Sequence, residues 1–225
     1  MTCLDLAASC WLPVPEHELI TSDGLLALAV RRYDRTKSAE GFVRIHQEDG
    51  CQATGTAPAW KYEEDGGPSL RSLASMIRDY GDLDDLVELL RRVTFNVALA
   101  NADAHAKNLS FVHDSQDVSV RLAPLYDVIS TVALEVTDDQ GRPVKASTKM
   151  GQRISGASDL EEVTAADLIA EAVAWRVRKA TAASVVNDTI DRIQDTLPGL
   201  AGDERALRVI ERSVSQLASR QRTAG

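Results

Sequence analysis

Hydrophobic positions recur along this chain with two periods, and the switches between them lay out the scaffold. Residues 2–9 carry Leu4, Ala7 and Ala8 at helical spacing, and Pro13 and Pro15 stop that helix. No capping residue precedes it, so the helix is expected to begin at or before Met1. Period-two alternation predicts strands at 18–20 and 25–33, joined by the turn Thr21-Ser22-Asp23-Gly24. In the second strand Leu26, Leu28 and Val30 alternate with Ala27, Ala29 and Arg31. Residues 34–68 are polar and rich in glycine, and read as a long irregular stretch, with short helices near 47–54 and 69–79. A long helix follows from Asp84 to Ala100, striped by Leu86, Leu89, Leu90, Val93, Val97 and Ala100.

Beyond that helix, Leu109 to His113 and Val118 to Leu122 alternate as short strands around the hairpin turn 114–117, and Pro124 closes the second. Residues 137–158, with Gly141, Gly151 and Gly156, read as a long loop holding a brief element. The last third is helical. Thr164 with Asp167 resembles a capping box ahead of Leu168, Ile169, Ala172 and Val173. Ile190, Ile193 and Leu197 mark another helix, ended by Pro198-Gly199, and Leu207, Ile210, Val214 and Leu217 a final one capped by Asp203. The pattern predicts an α+β chain, mainly helical.

Composition narrows the possibilities. The chain has 225 residues, 44% hydrophobic and 26% charged, enough for one sizeable core with an appended helical part. No apolar stretch approaches the roughly 20 residues that span a bilayer, and no basic-then-apolar leader opens the chain. The expectation is a cytoplasmic protein that does not enter a membrane. A net charge of −9, with no run of Lys and Arg, disfavours direct nucleic-acid contact. Three cysteines (Cys3, Cys10, Cys51) lack metal-ligand spacing and read as reduced thiols, Cys3 and Cys10 as core filler.

The candidate chemistry sits in Asn101-Ala-Asp103-Ala-His105-Ala-Lys107-Asn108 and in Leu125-Tyr126-Asp127. An Asp-x-x-x-x-Asn loop after a striped helix, then a hairpin, then a second Asp, is the order of the catalytic loop and metal site in kinase-type phosphotransferases. Asp103 would orient an attacking hydroxyl and accept its proton; Asn108 and Asp127 would hold Mg²⁺. From pattern alone two other readings stand beside this one. Asp103 could cap a turn, Asn108 start a strand and Asp127 cap a helix over 128–134, or the residues could form another kind of metal site.

The chain also closely resembles the C-terminal kinase core of the HipA family of toxin serine/threonine kinases. The resemblance rests on Ala29-Val-Arg-Arg-Tyr-Asp-Arg35, His46-Gln-Glu-Asp49, Lys61-Tyr-Glu-Glu-Asp-Gly-Gly-Pro68, the stretch Phe95 to Asn108, and Leu122-Ala-Pro-Leu-Tyr-Asp-Val-Ile-Ser130. It implies a kinase-like large lobe at 35–222, with a remnant of the small lobe and its hinge hairpin at 1–34. It implies ATP and Mg²⁺ as cofactors, Asp103 as catalytic base, and Asn108 and Asp127 as metal ligands. His105, Ala106, Lys107 and Asn108 fall where the family contacts nucleotide phosphates, although His105 and Lys107 could merely brace the loop. Tyr126 precedes the metal Asp, and Arg31, Arg32 and Tyr33 lie on the strand that holds adenine. The family usually carries Glu and Phe at the positions of Arg31 and Tyr33, and Arg31 puts one adenine contact in doubt. No lysine precedes Lys37 and no glycine cluster precedes Gly24, so the family's phosphate loop and strand lysine are missing from this sequence. The resemblance further implies a HipB-like helix-turn-helix antitoxin as partner, and a protein substrate such as an aminoacyl-tRNA synthetase. Loss of activity, leaving a pseudokinase or interaction module or a gene remnant, is the alternative expectation.

Overall fold

The striped segment forms the central helix α4 (Leu83–Ala98), and its stripe explains its position. Asp82 caps it by accepting from the Asp84 amide, and Leu86, Leu89, Leu90, Phe95 and Val97 are buried. The computed structural model describes residues 1–113 and 119–222. Around α4 lie α3 (Leu70–Tyr80), α5 (Ala165–Ala174), α6 (Lys179–Thr196) and α7 (Glu204–Arg222). Their caps are those the sequence announces. Ser69 caps α3, Thr164 and Asp167 close a reciprocal box on α5, and Asp203 accepts from Ala206 at the start of α7. Helix α1 (Thr2–Ser9) spans the expected residues and buries Cys3 and Cys10 as free thiols.

Two buried polar side chains tie the helices to their surroundings. Trp175, fully enclosed, donates from Nε1 to Glu171 Oε1 at 3.0 Å. Arg92, 3% exposed, reaches the carbonyl of Ala123 at 2.6 Å and pairs with Glu88 at 2.9 Å. The latter joins α4 to the chain that leads into Tyr126 and Asp127.

The strands depart more from expectation. Strands β1 (His17–Ser22) and β2 (Leu25–Val30) pair from His17↔Val30 to Ser22↔Leu25, leaving a two-residue turn. Asp23 and Gly24 both have positive φ there, the backbone a tight hairpin of matching twist requires. β2 ends at Val30 rather than Tyr33, because Arg32 forks onto the buried Asp34 carboxylate at 2.7 and 2.6 Å and turns the chain away. The stretch expected to be irregular holds a hairpin, β3 (Arg35–Ser38) with β4 (Gly41–Arg44). Its side chains are almost all exposed, so no buried face imprints a period on the sequence.

The helix expected from residue 47 begins later. Residues 47–49 form β5 (Gln47–Asp49), and Asp49 then caps α2 (Gly50–Ala53) together with Gln52. β5 pairs with β6 (Ser110–His113), which pairs with β7 (Val120–Leu122), giving a three-stranded antiparallel sheet. The expected turn at 114–117 and the start of its second strand at Val118 lie outside the described residues. The presumed loop 137–158 carries short strands, β8 (Val136–Thr137) with β9 (Pro143–Val144), and β10 (Lys149–Ile154) with β11 (Ala157–Asp159). Among the described residues no helix is long and apolar enough to cross a membrane.

The hairpin β1–β2 is apolar and uncovered. Leu19, Ile20, Leu25, Leu26, Leu28 and Val30 are all exposed, Leu25 by 73%. An apolar face of this kind marks a surface that other protein matter covers.

Two stability effects follow. Trp175→Ala removes a fully buried ring and the indole bond to Glu171 Oε1, leaving Oε2 on the Ser155 amide, and should cost about 3–5 kcal/mol in urea unfolding, at unchanged denaturant slope. The Arg32 and Arg35 guanidiniums hold the Asp34 carboxyl down at about 2, against its ordinary 3.8. A carboxyl lowered by folding stabilises the fold above its unfolded pKa and loses that contribution as pH falls through its folded one. Thermal stability should therefore drop between about pH 4 and pH 2, and Asp34→Asn should flatten that part of the curve.

Candidate active site

The site is built from the C-terminal end of α4. Ala100 adopts φ 54°, a left-handed turn that ends the helix. Asn101, 3% exposed, then clamps the turn. Its amide nitrogen donates to Asn96 O and its side-chain nitrogen to Asn96 Oδ1, both at 2.9 Å, while its Oδ1 accepts from the Asp103 amide at 3.2 Å. On the far side the Ala102 amide donates to Thr131 Oγ1 at 2.8 Å, and its carbonyl accepts from Gly151 at 2.9 Å. Gly151 packs tightly here, since a Cβ there would lie 3.0 Å from His105 and push the loop by a few tenths of an ångström.

This frame presents Asp103 half exposed, at 48%. Tyr62 donates to its Oδ1 at 2.7 Å, and its Oδ2 lies 4.0 Å from His105 Nε2, beyond hydrogen-bond range. Asn108 donates from Nδ2 to the Asp103 carbonyl at 3.0 Å, which ties the two ends of the loop and turns the amide oxygen of Asn108 away from that bond.

His105 is buried, with Lys61 Nζ 2.8 Å from its Nε2 and the Tyr62 ring edge-on at 5.3 Å. An ammonium only donates, so Nε2 accepts and the ring proton is assigned to Nδ1. Burial lowers the His105 pKa first; Asp103 opposes that and Lys61 reinforces it. The imidazole is thus held neutral between a cation and a carboxylate, bracing the loop. Lys61 also sits 4.7 Å over the Tyr62 ring, and its carbonyl accepts from the Ala106 amide at 3.2 Å.

Tyr126 brings the second aspartate alongside. Its hydroxyl donates to the Lys107 carbonyl at 2.6 Å and lies 2.6 Å from Ser110 Oγ, and burial pushes its phenol well up. Asp127 follows, exposed, at φ 53°. Its neighbour Tyr126, bonded to the Lys107 carbonyl, fixes where it leaves the loop. Tyr33 stacks on Tyr126 with ring centroids 6.2 Å apart, and its hydroxyl donates to Gln47. Arg31, Arg32, Tyr33, Lys107 and Tyr126 line an open cleft of about 330 Å³. A second cleft, walled by Tyr62, Asp103, Thr131, Lys149 and Met150, opens on the other side of Asp103.

The structure therefore brings Asp103, His105, Ala106, Lys107, Asn108, Tyr126 and Asp127 together. Arg31 and Arg32 reach the cleft only as rim. Arg31 pairs with Glu16 in solvent and Arg32 with Asp34, and neither lies within β2, which ends before them. The alternative in which Asp127 caps a helix over 128–134 does not hold. That segment forms only a 3-10 turn, Thr131–Ala133, entered from Ser130. Reasoning from the residues alone missed Lys61 and Tyr62 as partners of the loop. They stand in a polar stretch, and Tyr62 meets Asp103 across 41 residues of chain, a distance no local spacing reveals.

Y4mE of Sinorhizobium fredii, a kinase candidate, is 40% identical over 163 residues, which are 71% of this chain and 36% of that protein. The serine/threonine-protein kinase toxin HipA of Shewanella oneidensis is 31% identical over 130 residues, 51% of this chain and 29% of that one. The chain thus spans about a third of the length of these curated relatives. Among solved structures, HipA of Shewanella oneidensis, in complex with HipB and its operator DNA, superposes with a TM-score of 0.77 at 22% identity, over 97% of this chain and 53% of that one. The Helicobacter pylori proinflammatory kinase CtkA superposes at 0.53 with 12% identity, over 97% and 81%. Both show a kinase-like α+β fold. The family model of the HipA-like C-terminal domain matches residues 1–197, and the chain belongs to that family.

Proposed function

We propose that this chain carries the catalytic centre of an ATP- and Mg²⁺-dependent protein serine/threonine kinase of the HipA type. The observation that carries the reading is a loop-held, half-exposed Asp103 whose loop is tied by Asn108 and bonded at Lys107 to Tyr126, the neighbour of the exposed Asp127. Asp103 Oδ2 is free of any described hydrogen bond, and in this reading it takes the proton of a substrate hydroxyl. Tyr62 fixes the other oxygen and so sets the carboxylate plane. Asn108 and Asp127 fit a hard cation. The Asn108 amide nitrogen is spent on the Asp103 carbonyl, which leaves an oxygen for the metal, and the Asp127 carboxylate is exposed. Bound Mg²⁺ would neutralise phosphate charge there. Lys107 lines the cleft where the phosphates would pass, the buried His105 braces the loop behind it, and Tyr33 and Tyr126 floor the part proposed for adenine.

The small-lobe remnant at 1–34 and the kinase lobe at 35–222 are proposed as the two functional parts, with a HipB-like antitoxin as partner and a translation enzyme such as an aminoacyl-tRNA synthetase as substrate. The exposed apolar face of β1–β2 favours a second reading, in which the chain keeps the fold and binds another polypeptide without transferring phosphate.

Calorimetric titration with Mg·ATP, with Asp127→Ala as control, separates the two. Binding by the native chain that is lost in the variant supports the kinase reading; a folded chain that binds no Mg·ATP supports the second. Asp103→Asn should abolish phosphoryl transfer while leaving Mg·ATP affinity largely intact, because it alters the base and not the metal site. A parallel loss of affinity would show that the role is misassigned. Tyr62→Phe removes one hydrogen bond to the carboxylate and frees it to rotate. The rate should fall by about tenfold while the KM for ATP holds, as steady-state kinetics would show.

A further inference from the structure

Away from the aspartates, the sheet β5–β6–β7 gathers three groups that phosphoryl transfer does not use. The register Gln47↔Val112 and the bond from the His113 amide to the His46 carbonyl, at 3.0 Å, set His46 and His113 opposite each other across the ladder. Their rings lie with centroids 4.6 Å apart, tilted by 40°. Glu48, two positions along from His46, turns its carboxylate to the same place, with Oε2 2.8 Å from His113 Nε2. One donor atom from each of the three lies within 4.8 Å of the others.

We propose that His46, Glu48 and His113 bind one divalent d-block cation, zinc being the ion whose preferences they match. Two imidazoles and a carboxylate are a borderline-soft donor set, suited to zinc and poorly suited to Mg²⁺ or Ca²⁺, which take oxygen. With bonds of about 2.0–2.2 Å, tetrahedral coordination places neighbouring donors roughly 3.4 Å apart. The Glu48–His113 pair is already closer than that, and the His46 ring must swing in by about an ångström. His46 is exposed and Glu48 and His113 are only part-buried, so side-chain rotation supplies the movement without shifting the backbone. The open fourth position would take water. A bond between His113 and Glu48 alone accounts for that pair, but it leaves the stacked His46 ring with no described hydrogen bond.

The ion would cross-link β5 to β6 beneath the nucleotide cleft. β5 carries Gln47, the partner of Tyr33, and Asp49, the cap of α2; β6 carries Ser110, the partner of Tyr126. Its effect is thus a clamp on the strands that hold the two tyrosines, separate from the Mg²⁺ ligands Asn108 and Asp127.

The test is calorimetric titration of the tag-free, chelator-treated chain with zinc chloride, alongside thermal melts. One ion per chain is expected, with a raised melting temperature. His46→Ala and His113→Ala should each weaken binding by about tenfold or more and abolish the thermal shift, while Asp127→Ala leaves both unchanged. His46 is exposed, so its replacement keeps the fold, as circular dichroism would check. The proposal is overturned if millimolar zinc does not bind, if His46→Ala binds like the native chain, or if only Asp127→Ala or replacement of the buried thiols Cys3, Cys10 and Cys51 removes binding.

Discussion

The candidate site hangs from the buried C-terminal end of α4. A helix that ends inside a core leaves carbonyls and amides that water cannot reach, and each must find a partner. Here Asn101 supplies them, bonding to Asn96 through main chain and side chain and holding the Asp103 amide. The apolar stripe of α4 fixes where the helix lies; Asn101 fixes how the chain leaves it. With those two set, Asp103 has little freedom left except rotation of its own carboxylate, and Tyr62 removes that.

Charge in the site is balanced by burial as well as by pairing. Lys61 approaches His105 while Asp103 stands half in solvent, and the imidazole between them stays neutral because burial outweighs the neighbouring carboxylate. A neutral ring adds no net charge to the loop, and the carboxylates of Asp103 and Asp127 are the negative charges this segment presents at the surface.

The hairpin β1–β2 stands apart from this economy. Its leucines and isoleucine are in water, although they alternate as a half-buried strand should. The relatives that match this chain are longer, and the described residues occupy about half of the HipA chain they superpose on. The exposed hairpin adjoins the cleft beside Tyr33 and Tyr126, since Val30 lines that cleft.

Local chemistry was legible in the order of residues. Helix α1, the stripe of α4, the capping box at Thr164 and Asp167, and the cap at Asp203 depend on neighbours a turn apart, and each stands where its pattern placed it. The spacing of Asp103, Asn108 and Asp127 was legible for the same reason, and the fold sets the first two on one loop and the third beside it. What the sequence could not settle were contacts that carry no period. The hairpin β3–β4 buries almost nothing and so leaves no pattern, and β2 stops at Val30 because Arg32 meets Asp34 rather than the next strand. Lys61 and Tyr62 join His105 and Asp103, and His46 and Glu48 join His113, across 41 to 67 residues of chain. Only the packed fold closes such distances, because the burial that makes them favourable does not exist until distant segments meet.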